Sequence, residues 1–483
     1  LRSRAFWTRS GWFCLSAATF CPKKLPQRNR DEIPIYNLLL AFPLVAILAF
    51  VMKIFPRPVT TAAILLCLFA GYSFGAEDPK IRLTQRLTKV DQLLEKYVKD
   101  GRIAGAVALV LRDGEPIYER AVGWRDREAQ QPIDMQTIFR IASQTKAITS
   151  AAILLLAEEK KLSVHDEVAK YIPAFARTRV AVRRPNSTEV DIFPAKRPIT
   201  IHHLLTHTSG ISYGMQVEIA DLYRAKELGP ALGTPWNFTA RNEPICDAME
   251  RLATVPFFGQ PGEGWVYGYS TDVLGCIVEK VSKKTLDQFI RQRITGPLGM
   301  KDTYFYLPPT ERNRLAVVYG SVKDVKNGKE AKDVKDFKAQ RSAAQGFYVD
   351  GPRKCFSGGA GLVSTVQDYA KFLEMIRNGG QLGDVRILKP ETIQLMTTTQ
   401  TAVSSRGLGF SYAFETTDRI GANGSESLGS YGWSGAYGTF YRVDPQQRLT
   451  ILLMTQMLPN ATDIKEKFWQ ATYKALADAK SFR

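Results

Sequence analysis

The side chains best suited to chemistry are Ser143 and Lys146, in the segment RIASQTKAITSAAILLLAEEKKL (140–162). The apolar run that follows them predicts a helix, and residues three apart on a helix share one face. Lys146 is therefore placed to take the proton of the Ser143 hydroxyl, which activates a serine as a nucleophile. The alternative is structural: Ser143 only caps the helix, and Lys146 lies in solvent. Ser-x-x-Lys is a common pattern, so the rest of the sequence has to decide.

A second serine lies in a nucleophile-like pattern, Gly-x-Ser-x-Gly, at GYSFG (71–75). That pattern marks a nucleophile elbow only between a strand and a helix. Here it coincides with the cleavage site of a predicted secretory signal, residues 52–75, which has basic Lys53 and Arg57, an apolar stretch and small residues before the cut. We therefore expect Ser73 to take no part in catalysis.

The predicted signal makes Met52 the start of the natural protein and predicts export to the periplasm or the medium. Residues 1–51 are then an upstream extension outside the natural protein. The alternative is a membrane segment in IPIYNLLLAFPLVAILAFV (33–51), which is long enough to span a bilayer although two prolines and an asparagine weaken it. Membrane association is thus expected through the N-terminus only, and residues 76–483 form the main domain.

Four further segments follow the Ser143 segment, namely LLTHTSGI (204–211), PGEGWVYGYSTDVLG (261–275), SGGAGLVSTVQDYAKFLEMIRNGG (357–380) and YGWSGAYGTFYRVDP (431–445). Together with Ser-x-x-Lys they strongly resemble the serine β-lactamase-like hydrolases: class C β-lactamases, D-alanyl-D-alanine carboxypeptidases and family VIII carboxylesterases. The resemblance covers about residues 85–475. It implies that Ser143 is the acylated nucleophile and that Lys146 abstracts or relays its proton. Lysine is ordinarily protonated at neutral pH, so burial or a cationic neighbour would have to favour its neutral form.

The second motif of the family, Tyr-x-Asn, is not intact in this chain. Its tyrosine shares the proton transfer and protonates the leaving group. Tyr267 fits the Trp-x-Tyr-(Ser/Gly)-x-x-Thr-Asp-Val-Leu-Gly form that resembles the esterase branch, whereas Tyr269 fits a Tyr-Ser-Thr frame. We prefer Tyr267 as the catalytic tyrosine and expect Tyr269 to be a packed core aromatic.

The third motif, usually Lys-Thr-Gly on the strand that lines the site, is replaced by Trp433-Ser434-Gly435. In β-lactamases and carboxypeptidases its lysine helps to hold a substrate carboxylate, and a neutral indole cannot replace an ammonium group there. The replacement disfavours penicillins and D-Ala-D-Ala peptides, and it favours neutral esters that rest against Trp433. The resemblance places the oxyanion hole at the backbone N–H groups of Ser143 and Ala436.

Other polar residues are expected to have smaller roles. His207 lies in a turn that resembles an architectural turn of the family, and the Ser-Gly-Gly sequence at 357–359 is expected to form a tight turn beside the cleft. The histidines and cysteines show neither His-Glu-x-x-His nor Cys-x-x-Cys spacing, so no metal and no other cofactor is expected. Cys246, Cys276 and Cys355 follow the predicted signal and form no disulfide framework, although one bridge is possible.

The elements that position these residues are predicted by local patterns. Apolar residues recur at helical spacing over 82–99, and AGAVALVLRDGEPIYERAVG (104–123) has the pattern of a hairpin turning at Asp113-Gly114. Near the other end, GTFYRVDPQQRLTILLMTQM (438–457) predicts two strands before a final helix. The helix after Ser143 is apolar nearly all round, so it should cross the centre of the molecule and place Ser143 in a cleft between layers.

These patterns predict an α+β fold of the β-lactamase/transpeptidase type. We expect an antiparallel sheet formed by the N- and C-terminal parts of the chain, about 80–150 and 345–483, with flanking helices. A mainly helical subdomain is inserted at about 150–345.

The formal net charge is +18, from 65 Lys and Arg against 47 Asp and Glu. Part of the excess lies in residues 1–75, and much of the remainder lies in SVKDVKNGKEAKDVKDFKAQR (321–341), where both signs interleave as on a solvated loop. Since no nucleic-acid motif is present, no nucleic-acid partner is expected.

The sequence therefore predicts an exported serine hydrolase that acts through an acyl-enzyme on a small-molecule ester, amide or β-lactam. Carboxylesterase activity is the first choice, and β-lactamase or D-alanyl-D-alanine carboxypeptidase activity is the second. Acyl transfer to an alcohol or amine would use the same residues. The rival from another class is a non-catalytic penicillin-binding-like or scaffold protein on the same fold.

Overall fold

In the computed structural model the described residues are 79–229, 238–323, 336–401, 409–417 and 426–477. They belong to one compact unit, Asp78–Arg483. The predicted signal, the upstream stretch, the GYSFG motif and the middle of the charged 321–341 segment lie outside the described residues. Among the helices of the described ranges, none combines the length and the hydropathy that a bilayer crossing requires.

An antiparallel sheet assembled from the two ends of the chain dominates the fold. The strands are β1 (Gly105–Arg112), β2 (Glu115–Asp126), β3 (Gln131–Pro132), β4 (Phe139–Arg140), β5 (Arg179–Arg183), β6 (Val190–Pro194), β7 (Tyr319–Lys323), β8 (Phe337–Arg341), β9 (Val363–Ser364), β10 (Gln381–Leu382), β11 (Val385–Arg386), β12 (Gly409–Phe410), β13 (Glu415–Thr416), β14 (Tyr431–Gly435), β15 (Thr439–Asp444) and β16 (Leu449–Met454). The main sheet has the order β12-β13-β14-β15-β16-β1-β2-β3. The predicted fold class is confirmed.

Helices cover both faces of this sheet. They are α1 (Pro79–Lys99), α2 (Thr145–Glu158), α3 (Ile201–Leu205), α4 (Ala220–Arg224), α5 (Ile245–Leu252), α6 (Ser270–Ser282), α7 (Leu286–Ile290), α8 (Val366–Arg377), α9 (Pro390–Thr397) and α10 (Ile464–Ala477). Single 3-10 turns lie at Ala142–Gln144, Val168–Lys170, Pro173–Arg177 and Pro309–Arg314, and a π turn at Arg291–Thr295.

Strand β1 is buried on both faces, which explains its continuous apolar sequence. Val107, Leu109 and Leu111 point into the larger core, which also contains α2. The alternate residues Ala108 and Val110 point into a second core formed with α1 and α10. Since successive strand side chains face opposite sides, a central strand between two helical layers has to be apolar at every position.

The hairpin predicted at Asp113-Gly114 is confirmed. Both residues have positive φ, 56° and 84°, as a two-residue turn between antiparallel strands requires. Strand β1 then pairs with β16 from the far end of the chain, with Val107 opposite Met454 and Arg112 opposite Leu449.

The middle of the chain is helical, as expected, but it also contains two hairpins, β5–β6 and β7–β8. The sequence analysis did not predict these hairpins, because short alternating stretches give a weaker signal than the helical pattern around them. Helix α2 is buried from Thr145 to Leu156 and crosses the core, as its composition predicts. The one possible disulfide is present between Cys246 of α5 and Cys276 of α6, while Cys355 is free and buried.

Candidate active site

Ser143 lies in the short turn Ala142–Gln144 between β4 and α2. Ala142 has φ of 42°, a conformation that costs a non-glycine residue roughly 1–3 kcal/mol and persists only where the surroundings impose it. They do so here, because Ala142 is fully buried against Val318 and Tyr437. Helix α2 is capped by Gln144 without a side-chain capping bond. Ser143 is therefore not a helix cap, and the structural interpretation of this serine is wrong.

Lys146 is buried with only 4% of its surface exposed. Its Nζ donates three hydrogen bonds, to Ser143 Oγ at 3.2 Å, the Tyr213 hydroxyl at 3.2 Å and the Gly359 carbonyl oxygen at 2.8 Å. Three oxygen acceptors surround the nitrogen, so the direction of the amine is fixed. All three acceptors are uncharged, and the nitrogen lies 4.8 Å above the Tyr267 ring centroid. The alternative with Lys146 in solvent is excluded.

The Tyr267 hydroxyl donates a hydrogen bond to Ser143 Oγ at 2.7 Å. Its ring is held by other aromatic rings: Trp265 is stacked on it at 5.5 Å with an interplanar angle of 5°, and His207 meets it edge-on at 5.0 Å. Trp433 approaches it at 5.8 Å. The phenol is thereby positioned from several sides, and its oxygen remains directed at the serine.

Tyr269, the other candidate, is turned away from the serine. Its hydroxyl accepts a hydrogen bond from the Gly229 backbone N–H at 3.0 Å, and burial raises the pKa of its phenol. Of the two tyrosines, Tyr267 therefore contacts Ser143 and Tyr269 lies in the core, and the catalytic role of Tyr267 stays a prediction.

Tyr213 is a site residue that the sequence analysis missed. Besides contacting Lys146, its ring packs edge-on against Tyr267 at 5.5 Å. Burial, together with the negative charge on neighbouring groups, raises the pKa of Tyr213 well above its usual value, so its hydroxyl stays protonated. Tyr213 follows the matched LLTHTSGI segment by two residues. Its place beside that motif is the signal that could have identified it.

The 357–359 turn provides the carbonyl oxygen of Gly359 that accepts a hydrogen bond from Lys146, and it also contacts the buried Asp272. Asp272 Oδ1 accepts hydrogen bonds from Ser357 Oγ at 2.5 Å and from the Gly359 N–H at 3.1 Å. Burial raises the pKa of Asp272, although the Ser357 hydrogen bond and the Lys146 charge oppose the shift. A Cβ on Gly359 would lie 2.5 Å from Asp272 Oδ2, so the turn requires glycine here. The predicted tight turn is confirmed.

Strand β14, which carries the third motif, ends beside the nucleophile turn. A Cβ on Gly435 would lie 2.4 Å from the Ile141 carbonyl oxygen, so only glycine permits this approach. Trp433 is half-buried on the side that faces Tyr267. Ala436, the residue after the strand, packs against the buried cluster around Ala142. The predicted oxyanion-hole residue thus lies next to the turn that carries Ser143.

The structure adds a cation at the third motif. Ser434 lies on the opposite face of β14, where its Oγ accepts a hydrogen bond from Lys465 Nζ of α10 at 3.2 Å. Burial lowers the pKa of Lys465. This amine comes from a helix 31 residues further along the chain, which no motif pattern could indicate. It lies on the face opposite to Trp433, so the effect of losing the motif lysine on substrate choice stays a prediction.

His207 is part of the scaffold. Its φ is 54°, and its carbonyl oxygen accepts the Val266 backbone N–H at 2.8 Å, which ties the first motif loop to the second. Burial, and to a lesser extent the Lys146 charge, lowers the pKa of the imidazole to about 3, so the ring is neutral. It supports Tyr267 through its ring edge. This matches the architectural role predicted for it.

The geometry agrees with comparisons to known proteins. The family model named Beta-lactamase matches residues 90–474. The chain belongs to the β-lactamase family. Esterase EstB of Burkholderia gladioli is 33% identical over 379 residues, which cover 76% of this chain and 89% of EstB.

Other relatives of this β-lactamase-family protein are described with different activities. An N-acetylmuramyl-L-alanine amidase of Bacillus subtilis is 28% identical over 396 residues, covering 77% of this chain and 81% of the amidase. The solved structure of EstCE1, described as a hydrolase with promiscuous acyltransferase activity, superimposes with a TM-score of 0.66 at 25% identity, covering 82% of this chain and 99% of EstCE1. Family membership identifies the protein as a serine hydrolase. Within the described ranges, no three His, Cys, Asp or Glu side chains are grouped to hold a metal ion.

Proposed function

We propose that this β-lactamase-family protein is a carboxylesterase that cleaves small acyl esters through an acyl-enzyme on Ser143. The contacts of the Ser143 hydroxyl carry the proposal, because Oγ lies 3.2 Å from the Lys146 amine and 2.7 Å from the Tyr267 phenol. An amine and a phenol within proton-transfer distance of one alcohol are the groups that nucleophilic attack and leaving-group protonation require.

The roles follow from these positions. Lys146 Nζ accepts the proton of Ser143 while Oγ attacks the acyl carbonyl carbon. The N–H groups of Ser143 and Ala436 stabilise the negative charge that develops on the carbonyl oxygen. The proton then passes from Lys146 to the leaving alkoxide through the Tyr267 hydroxyl, which restores Lys146 and leaves the phenol protonated, and the alcohol departs. Water then attacks the acyl-enzyme through the same groups and releases the acid.

The aromatic lining supports an ester with an apolar acyl group. Trp433 is half-buried beside Tyr267 and offers a flat apolar surface next to the nucleophile. The similarity to an esterase at 33% identity supports the same substrate class. EstCE1 is described as a hydrolase with promiscuous acyltransferase activity, which supports an alcohol as an alternative acceptor to water.

The test compares hydrolysis of p-nitrophenyl butyrate with hydrolysis of nitrocefin, and adds covalent labelling by a fluorophosphonate probe. We expect ester turnover and labelling in the wild type and neither in Ser143→Ala. Ser150→Ala, a buried serine two turns further along α2, is the matched control and should keep both. Labelling or ester turnover that persists in Ser143→Ala would overturn the assignment, and rapid nitrocefin turnover without ester cleavage would reverse the substrate order.

Hydrolysis of carboxylate-bearing substrates such as β-lactams or D-Ala-D-Ala peptides is the second candidate, and Lys465 is the observation that favours it. Its amine reaches Ser434, on the face of β14 opposite to Trp433 and one residue before the Gly435 that approaches the nucleophile turn. A hydrogen bond to a charged group contributes about 1.5–3 kcal/mol, or roughly 10- to 100-fold in kcat/KM. Lys465→Met should lower kcat/KM by this factor for p-nitrophenyl hemisuccinate and leave the butyrate ester nearly unaffected. Lys467→Met, an exposed lysine of the same helix, is the control. Equal losses on both esters would contradict a carboxylate role.

We further propose that the protein works in the periplasm or outside the cell. The signal-like segment at 52–75 motivates this location, and the Cys246–Cys276 disulfide supports it, because such bridges persist mainly in oxidising compartments. Cell fractionation and N-terminal sequencing of the protein expressed from Met52 test the proposal. We expect an exported form that begins at Ala76. A cytosolic protein with an intact N-terminus would refute it.

A further inference from the structure

A cavity of about 360 Å³ lies between β2, the stretch that follows the 309–314 turn, and the 341–350 segment. Its lining includes three guanidinium groups, those of Arg140, Arg312 and Arg341. The residues assigned to catalysis, Ser143 and Lys146 among them, do not line it. It is therefore distinct from the cleft described above.

Arg140 is the unusual member of this lining, because its side chain is buried without an acidic partner. It is 3% exposed, and its guanidinium donates to the Gln345 carbonyl oxygen at 2.9 Å, the Ala316 carbonyl oxygen at 2.6 Å and Gln456 Oε1 at 3.4 Å. These acceptors are neutral and engage Nε and Nη1, and the guanidinium carbon lies 5.3 Å from the centroid of the Tyr348 ring. Arginine is almost never buried unless it is paired, since a desolvated charge is costly. Burial accordingly lowers the pKa of Arg140.

The other two arginines are already neutralised. Arg312 pairs with Asp350 through two hydrogen bonds, and Arg341 lies 2.7 Å from Asp126 Oδ1. Asp350 and Asp126 line the same cavity. Arg341 also lies 3.5 Å from Glu128 Oε2, so both exposed arginines have acidic partners, whereas Arg140 is the arginine of this lining for which the described residues provide none.

We propose that this cavity binds a small oxyanion, a carboxylate or a phosphate, whose oxygens accept hydrogen bonds from Arg140 Nη2. The volume accommodates a short-chain carboxylate or an inorganic phosphate, and guanidinium groups match both in geometry. Asn313 and Gln345 supply further polar lining. The ligand supplies the negative charge that the buried guanidinium lacks among the described residues.

The bound anion would also act on the segment that carries the nucleophile. Arg140 precedes Ser143 by three residues. The Gln456 side chain bridges the Arg140 backbone, accepting its N–H at 2.8 Å and donating to its carbonyl oxygen at 3.3 Å. Fixing the Arg140 guanidinium therefore restrains β4 and the strained turn after it. Slower hydrogen exchange of the 139–141 amides is the expected sign of occupancy.

The test uses the Ser143→Ala protein, so that neither ester hydrolysis nor an acyl-enzyme enters the result. Sodium phosphate and sodium butyrate are titrated in separate arms by calorimetry and thermal unfolding, against sodium chloride at equal ionic strength. We expect a saturable heat and a rise in Tm with at least one oxyanion. The arm that saturates at the lower concentration identifies phosphate or the acid product as the preferred ligand.

Two charge-reversal variants test whether the oxyanion binds in this cavity. Arg312→Glu, at a half-exposed side chain of the lining, should abolish the saturable binding without affecting folding. Arg291→Glu, at another exposed arginine that pairs with an aspartate but is not part of the lining, should retain it. Two results would overturn the proposal: no oxyanion effect beyond that of chloride, or equal binding in both variants. Ester hydrolysis is not measured, so this outcome is independent of the proposed esterase activity.

Discussion

Replacing Tyr267 by phenylalanine removes the phenol and keeps the ring. The ring is stacked on Trp265 at 5.5 Å and contacts His207 and Trp433, so its packing survives the change. The loss is confined to one oxygen that lies 2.7 Å from Ser143 Oγ. This variant therefore tests the proton relay in isolation from the fold.

The expected size of the effect follows from the role of that oxygen. A positioned acid or base contributes about 10²- to 10⁴-fold to the rate. We expect kcat for p-nitrophenyl butyrate to fall by this factor in Tyr267→Phe, with KM changed little because the aromatic surface remains. Fluorophosphonate labelling should slow in parallel, while urea unfolding should give nearly the wild-type free energy.

Tyr269→Phe is the matched control, because it deletes a hydroxyl from the same motif. Its oxygen accepts the Gly229 N–H, and leaving a buried donor unpaired costs about 1–3 kcal/mol of stability. Tyr269→Phe should therefore lower the free energy of unfolding and leave kcat within a few-fold of wild type. The reverse pattern, with kcat lost in Tyr269→Phe and kept in Tyr267→Phe, would refute the assignment.

Substitutions at Gly359 and His207 test the scaffold around the catalytic residues. Gly359→Ala would place a Cβ 2.5 Å from Asp272 Oδ2 and shift the Lys146 acceptor, so kcat should fall by about 10²-fold, whereas Gly264→Ala meets nothing within 4 Å and should be silent. The pKa of His207 is about 3 in the folded protein against an ordinary 6.5, so below pH 6.5 the unfolded chain binds a proton that the folded protein does not. The free energy of unfolding should therefore decrease as the pH falls below 6.5, by at most about 1.4 kcal/mol per pH unit. The decrease should be less steep in His207→Asn.

The sheet could be predicted because its signals are local. The apolar run of β1, the Asp113-Gly114 turn and the helical period of α1 and α10 are each read within about ten to twenty residues. Strands near both ends of the chain predicted one sheet assembled from them, and the structure adds that β1 pairs with β16. The β5–β6 hairpin was missed because a short alternating stretch inside a helical region carries a weak signal.

The nucleophile, its lysine and its tyrosine could likewise be selected from ordered motifs, and the structure brings these three side chains together. Tyr213 and Lys465 could not be selected, because their contacts are tertiary. Tyr213 meets Lys146 across 67 residues, and Lys465 meets Ser434 across 31. The chemistry of a lysine depends on what its folded neighbours supply, and residue type alone does not reveal that.

The third motif shows why this matters for substrate choice. Trp433 and Ser434 point to opposite faces of β14, so the indole faces Tyr267 while the hydroxyl meets the Lys465 ammonium group. Replacing the lysine of the motif by tryptophan therefore moves the positive charge to another element and adds apolar surface near the serine. An alkyl ester uses only the apolar surface, whereas the distal carboxylate of a longer ester has to extend past the end of β14 to meet Lys465. The ratio of kcat/KM for the two ester classes, measured in Lys465→Met, decides which property governs selection.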